Sequence, residues 1–248
     1  MAKLGRLITA MVTPFNAKGE VDHEQAQKLA KALINSGSDG LLVTGTTGER
    51  PAMTDEEQLQ LFTSVRGAIG TKGTIVAGTG GNCTRESIAM TKEAERLGVD
   101  AALLIVPYYN KPTQEGMYQH FKAIAESTSL PCILYNFPAR TVTNMAPETA
   151  IRLIEIDNIV GIKEASGNLE QIAKIIRGAR KDFLVWSGND SDTFPIMAMG
   201  GYGIISVASH LVGKQIQEMI QHTVKGNMKE AAAIHLNLLP LVNALFIV

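Results

Sequence analysis

Leu97-Gly98-Val99-Asp100-Ala101-Ala102-Leu103-Leu104-Ile105-Val106 ends a helix and turns tightly into a buried strand: a glycine stops the helical pattern and an unbroken apolar run follows. Ser36-Gly37-Ser38-Asp39-Gly40 before Leu41 is a second copy, and Gly200-Gly201-Tyr202-Gly203 before Ile204 a looser third. Outward from these turns, short apolar and β-branched runs recur as Leu7–Val12, Gly40–Thr44, Thr74–Gly78, Ala101–Val106, Cys132–Tyr135, Ile159–Ile162, Phe183–Trp186 and Gly203–Val207. Each is bounded by Gly, Pro or polar turn residues, as strands are.

Helical patterns fill the intervals. Asp22 can cap a helix carrying Ala26, Leu29, Ala30 and Leu33, with Gly37 at its C-terminal stop. Thr54-Asp55-Glu56-Glu57 fits a capping box before Leu61, Phe62 and Val65. Thr113 caps the segment with Met117, Phe121 and Ile124, and Pro147 suits a first helical turn before Ile151 and Ile154. Eight βα units in 248 residues predict an α/β fold of the (β/α)8 barrel type. A doubly wound sheet has fewer parallel strands and a GxGxxG turn, which this sequence lacks. The expected division is a barrel core over 1–210, then the final barrel helix and the start of a C-terminal helical region over 211–248, with no linker.

The charge balance, 23 Lys+Arg against 24 Asp+Glu, gives a net charge of −1 and no basic stripe, which argues against nucleic acid as partner. At 45% hydrophobic and 19% charged, the chain is globular rather than disordered. Its longest apolar stretches, Ala101–Val106 and Leu238–Val248, fall short of the roughly 18 residues of a membrane span. Lys3 and Arg6 before Leu7–Val12 faintly mimic a signal peptide, but the run stops at Pro14 without a cleavage site and reads as a first strand. Cys83 and Cys132 stand far apart with no CxxC, so neither disulfide nor zinc is suggested and the cytoplasm is the default compartment.

In a barrel, chemistry belongs at the C-terminal ends of the strands. The second run ends in Thr44-Gly45-Thr46-Thr47-Gly48-Glu49, whose glycines, hydroxyls and amides could hold a carboxylate or phosphate; the plainer alternative is a glycine-permitted turn. The fourth ends in Pro107-Tyr108-Tyr109-Asn110-Lys111-Pro112 and the fifth in Tyr135-Asn136-Phe137-Pro138-Ala139-Arg140. Three of the five tyrosines thus gather at one rim, where a phenol can relay protons and Arg140 offers a planar fork for a carboxylate. Rim packing and a surface ion pair are the alternatives. The sixth run, Ile159-Val160-Gly161-Ile162-Lys163-Glu164-Ala165-Ser166-Gly167, puts a lysine at its end. Desolvation there would lower its pKa and free an amine for a Schiff base, against a structural Lys163–Glu164 pair. Ser187-Gly188-Asn189-Asp190 and Ile204-Ile205-Ser206-Val207 complete the mouth. His120, His210 and His235 show no metal spacing, and no carboxylate cluster demands magnesium, so neither metal nor organic cofactor is expected.

GTTGE at Gly45–Glu49, PYYNKP at Pro107–Pro112, YNFPAR at Tyr135–Arg140 and GIKEASGN at Gly161–Asn168 together resemble the dihydrodipicolinate synthase family of pyruvate-dependent Schiff-base lyases, along nearly the whole chain. The resemblance implies a class I aldolase-type lyase of lysine and diaminopimelate biosynthesis, in which Lys163 forms an imine with pyruvate and the enamine attacks L-aspartate 4-semialdehyde. It implies Tyr135 as proton donor and acceptor, with Thr46 and Tyr109 completing the relay. Thr47, Ile205 and Gly188 match substrate contacts, and Arg140 matches the residue that receives the semialdehyde's carboxylate. Tyr109 is implied to reach into a neighbouring subunit's site within a homodimer or homotetramer. Two rivals stand beside this reading: another 2-keto-acid aldolase of the superfamily, which generally lacks an arginine at position 140, and a noncatalytic metabolite-binding barrel.

Some positions depart from the family pattern. Asn82, Glu86 and Tyr108 match part of an allosteric lysine site, but Arg50-Pro51 stand where lysine-inhibited members carry small residues. Asp55 and Gln58 stand where some have histidines, so weak or absent lysine inhibition is expected. Val142 follows YNFPAR where glycine is commoner. The family runs on through further C-terminal helices, so Leu236–Val248 is expected to be the start of a truncated region with exposed apolar surface.

Overall fold

The apolar runs form eight strands: β1 (Leu7–Ala10), β2 (Gly40–Val43), β3 (Thr74–Gly78), β4 (Ala101–Ile105), β5 (Cys132–Asn136), β6 (Ile159–Glu164), β7 (Leu184–Ser187) and β8 (Gly203–Ser206). In the computed structural model, which describes residues 4–247, they close in chain order into a barrel, every neighbour parallel and β1 paired with β8. Lys3 and Val248 lie outside the described residues. Helices α1 (His23–Asn35), α2 (Asp55–Ile69), α3 (Thr84–Arg96), α4 (Gln114–Ala125), α5 (Pro138–Thr141), α6 (Pro147–Ile154), α7 (Leu169–Gly178), α8 (Thr193–Ala198), α9 (Ser209–Val224) and α10 (Met228–Ala244) alternate with the strands or follow them. Among the described residues no helix is long and apolar enough to cross a membrane.

The helix starts follow local chemistry. The Asp22 carboxylate accepts from the Gln25 amide at 3.0 Å, and the Thr113 hydroxyl from Gly116 at 3.1 Å. Thr54 and Glu57 form a complete capping box, the Glu57 amide donating to the Thr54 hydroxyl and the Thr54 amide to Glu57 Oε2. The repeated helix-to-strand turns share more than their left-handed glycines Gly37 and Gly98. Asp39 Oδ2 accepts from the Arg6 and Leu7 amides at 2.9 Å each, and Asp100 Oδ2 from the Ile75 amide at 2.7 Å. In each copy, the carboxylate entering one strand fastens the start of the preceding one, at the barrel end away from the site.

Strand residues alternate between two apolar layers. Ile8, Leu42, Val76, Leu103, Ile133, Trp186 and Ile205 fill the barrel, while Leu41, Val43, Ile75, Leu104, Leu134 and Ile162 face helix residues such as Leu33, Phe62, Phe121 and Ile172. Ile216, Met219 and Ile220 of α9 pack with Ala231 and Val242 of α10. Strand ends differ from the sequence reading in two ways. Ladder pairing stops at Ala10, Val43 and Ile105, although Met11, Thr44 and Val106 stay buried. Thr44 leaves β2 through a left-handed conformation, φ 58°. Conversely β5, β6 and β7 run on to the polar residues Asn136, Glu164 and Ser187, so Lys163 lies within its strand rather than at the end of it.

Val142 also takes the left-handed conformation (φ 56°, ψ 14°), with its side chain 69% exposed. A β-branched residue there is strained by about 1–2 kcal/mol, a strain that glycine would not carry. Val142→Gly should therefore stabilise the protein by about 1 kcal/mol in denaturant unfolding; a loss of stability would contradict the strain. His120 is buried beside Phe121, its Nδ1 2.8 Å from the Thr84 hydroxyl and its Nε2 without a partner, and burial lowers its pKa to about 4. The unfolded chain takes up this proton near pH 6.5 and the folded chain only near pH 4, so falling pH favours unfolding across that interval. The imidazole should remove about 3 kcal/mol of stability between pH 6.5 and 4, read as the difference between wild type and His120→Gln in urea unfolding at the two pH values.

Candidate active site

Alternation along β6 turns Lys163 into the barrel and Glu164 outward. Lys163 is 5% exposed and lies in register between Tyr135 of β5 and Trp186 of β7. Its Nζ is 4.3 Å from the centre of the Tyr135 ring. Burial disfavours the ammonium and brings the pKa from 10.5 down to about 8, the negative charge of Asp190 acting in the opposite direction. The alternative Lys163–Glu164 pair does not form, because Glu164 turns to the Ser166 amide and the Asn136 side chain. Gly188 leaves room for the lysine: a Cβ there would come within 2.7 Å of Ala165 Cβ and 3.2 Å of Lys163 Cε. Ile205, fully buried on β8, belongs to the same inner layer as Tyr135 and Trp186.

Tyr135, whose ring faces the lysine, also lines a cavity of about 250 Å³ together with Thr46, Tyr108 and Arg140; Lys163, Gly188 and Ile205 are not part of its wall. Burial raises the Tyr135 phenol, with the Thr46 side chain and the Arg140 charge pulling the other way. Arg140, on the short α5, leans over the Phe137 ring at 5.6 Å. In the Gly45–Glu49 turn the Gly48 and Glu49 amides donate to the Gly45 and Thr46 carbonyls, while Thr13 donates to the Gly48 carbonyl at 2.6 Å. Thr47 is half-buried beside Thr46, outside the cavity wall. Tyr109 is not brought to the cavity of its own chain: it is 88% exposed on a loop where Tyr109 and Lys111 both have positive φ.

Asn82, Glu86 and Tyr108 meet in a second cavity of about 160 Å³, together with Arg50, Pro51 and Gln58. Asp55 is not part of its wall. Arg50 Nε donates to Gln58 Oε1 at 3.0 Å and Nη1 to the Gly80 carbonyl. Arg50, Pro51 and Tyr108 line both cavities and form the partition between them.

Two buried carboxylates stand inside quoted motifs, but the sequence reading gave Asp190 no role and saw Glu164 only as a partner for Lys163. Asp190 accepts from the Ser206 hydroxyl at 2.5 Å and from the Val207 and Ala208 amides at 3.0 and 3.2 Å. Glu164 joins Asn136, Asn144 and Gln171 in a side-chain network behind β5 and β6. The only available signal was their polarity at the end of an apolar run, which does not reveal partners distant in sequence.

Comparison with known proteins agrees with this geometry. The family model described as the dihydrodipicolinate synthetase family matches residues 3–248. A 4-hydroxy-tetrahydrodipicolinate synthase from Dehalococcoides mccartyi is 64% identical over the whole of this chain, which spans 84% of that relative. Among solved structures, a dihydrodipicolinate synthase from Bacillus anthracis is 47% identical with a TM-score of 0.97, covering 100% of this chain and 85% of its own. One from Cyanidioschyzon merolae, solved with lysine bound, is 50% identical with a TM-score of 0.97, covering 99% of this chain and 84% of its own. Sequence and fold thus agree, and the chain belongs to the dihydrodipicolinate synthetase family.

Proposed function

We propose that this lyase condenses pyruvate with L-aspartate 4-semialdehyde to 4-hydroxy-tetrahydrodipicolinate, feeding lysine and diaminopimelate synthesis. The observation that carries the reading is a desolvated amine, Lys163, against the ring of Tyr135, which lines a cavity with Arg140 in its wall. The neutral Nζ attacks C2 of pyruvate, and loss of water gives a protonated imine. That cation draws electrons from C3, so a methyl proton leaves and an enamine forms. C3 then bonds to the aldehyde carbon, whose oxygen takes a proton. The substrate's amine finally replaces Nζ at C2, closing the ring and releasing Lys163. The imine is itself the electron sink, so the scheme uses no metal and no organic cofactor.

Tyr135 exchanges these protons, with Thr46 beside it; its burial favours the protonated phenol, a donor at neutral pH. Thr47, Gly188 and the Ile205 backbone hold pyruvate next to the lysine, and Arg140 receives the carboxylate of the semialdehyde as a bidentate fork. Tyr109 completes the relay of a neighbouring protomer in a homodimer or homotetramer; its outward position, 88% exposed, suits that role. Lysine inhibits weakly or not at all, because Arg50 already brings a cation into the cavity of Asn82, Glu86 and Tyr108. The free thiols of Cys83 and Cys132 suit a reducing cytoplasm.

Incubation with pyruvate and borohydride, followed by peptide mapping, should place a pyruvyl adduct on Lys163, and Lys163→Ala should show none. An adduct elsewhere, or none on folded protein, would sink the mechanism. Because the amine must be neutral to attack and its pKa is about 8, imine formation should fall about tenfold per pH unit below pH 8; a rate flat down to pH 6 would contradict this. Arg140→Ala should raise KM for the semialdehyde by one to two orders of magnitude and leave imine formation unchanged. Equal turnover of aldehydes lacking the carboxylate would favour another aldolase of the superfamily.

A further inference from the structure

Glu164 is fully buried, next in sequence to the lysine, and takes no part in the chemistry above. Its Oε1 accepts from the Ser166 amide at 2.8 Å, and both its oxygens lie near Asn136 Nδ2, at 3.2 and 3.3 Å. Asn136 Nδ2 also donates to Asn144 Oδ1 at 2.9 Å, while Asn136 Oδ1 accepts from the Met145 amide at 3.0 Å. Asn144 is held a second time by Gln171 of α7: its Nδ2 donates to Gln171 Oε1 at 2.9 Å, and Gln171 Nε2 donates to its Oδ1 at 3.2 Å. Asn136 closes β5, and residues 144 and 145 end the loop that leaves it. One side-chain amide therefore grips both ends of the loop, and Arg140 lies midway along it.

The direction of that grip is set at Met145. A backbone N–H only donates, so the Met145 amide requires the Asn136 oxygen to face it and thereby leaves the Asn136 nitrogen facing the Glu164 carboxyl, whose pKa burial raises. The reversed amide would set oxygen against oxygen and two donors against each other. The loop also contains Val142 in its left-handed strain, and such strain persists only where the surroundings over-determine the backbone.

We propose that Glu164 is a positioning residue that latches the Arg140 loop through Asn136 and Asn144, and so sets the affinity for the second, carboxylate-bearing substrate without touching it. The proposal rests on the functional reading above only for the identity of that substrate. The latch is on the outer face of β6 and Lys163 on the inner face, so loosening it affects the two substrates unequally.

The test compares wild type with Glu164→Leu, which removes both acceptor oxygens, and with Asn144→Ala, an exposed position whose replacement leaves β6 intact. Both variants should form the pyruvate imine within about twofold of the wild-type rate and show KM for L-aspartate 4-semialdehyde raised about tenfold or more. In an Arg140→Ala background, Glu164→Leu should add little further increase in KM. Slowing of imine formation in parallel with the rise in KM, an unchanged KM in both variants, or full additivity with Arg140→Ala would overturn the latch. Amide hydrogen exchange over residues 137–146 reads it without any substrate: Met145 and its neighbours should exchange at least tenfold faster in Glu164→Leu, or in Asn144→Ala if the former does not fold. Unchanged exchange would overturn the latch, whereas a wild type that forms the imine but does not turn over the semialdehyde would overturn the functional reading alone.

Discussion

Burial of one amine inside a closed ring of strands is the constraint on which the rest of this molecule depends. A lowering of the Lys163 pKa from 10.5 to about 8 corresponds to about 3 kcal/mol of preference against the ammonium, relative to water. The barrel maintains it by packing: β5 and β7 flank the lysine in register, Gly188 lets the neighbouring backbone approach, and Trp186 and Ile205 fill the layer around it. Asp190 moderates the effect from a fixed position, because three hydrogen bonds hold its carboxylate. Packing therefore brings the amine toward neutrality.

What the sequence made legible was local. Helix starts were visible because Asp22, Thr54 and Thr113 bond to amides three residues away, and the strands because a sheet covered on both faces needs unbroken apolar runs. Lys163, Thr46, Tyr135 and Arg140 were visible because they punctuate those runs with chemistry that a barrel mouth uses. The strand ends at Asn136, Glu164 and Ser187 were missed for the converse reason: these are polar residues made acceptable in a buried sheet by partners from other elements, such as Asn136 for Glu164, 28 residues away. Neither periodicity nor propensity reports such a pairing. The same holds for Asp39 and Asp100, whose glycine neighbours drew attention while the carboxylates fastened the adjoining strands.

The two cavities share the wall formed by Arg50, Pro51 and Tyr108, and that wall is stiffer than the composition of the loop suggests. Arg50 is tied to Gln58 and to the Gly80 carbonyl, and burial disfavours its charge, with Tyr108, Asp55 and Glu86 acting the other way. A long cation in this place occupies space and fixes the field on both sides of the partition. Of all the departures from the family pattern, Arg50 therefore alters the interior most, whereas Val142 alters only the backbone of an exposed loop.

The bonds of Asp190 have one more consequence. Loops after the seventh and eighth strands of such barrels, with the helix start that follows, are where many enzymes of this architecture hold the phosphate of a sugar or cofactor. Here the Val207 and Ala208 amides and the Ser206 hydroxyl already surround an anion that the chain supplies itself. A phosphorylated metabolite would meet a resident negative charge in place of a cradle, and the mouth is left to small acids that bring only carboxylates.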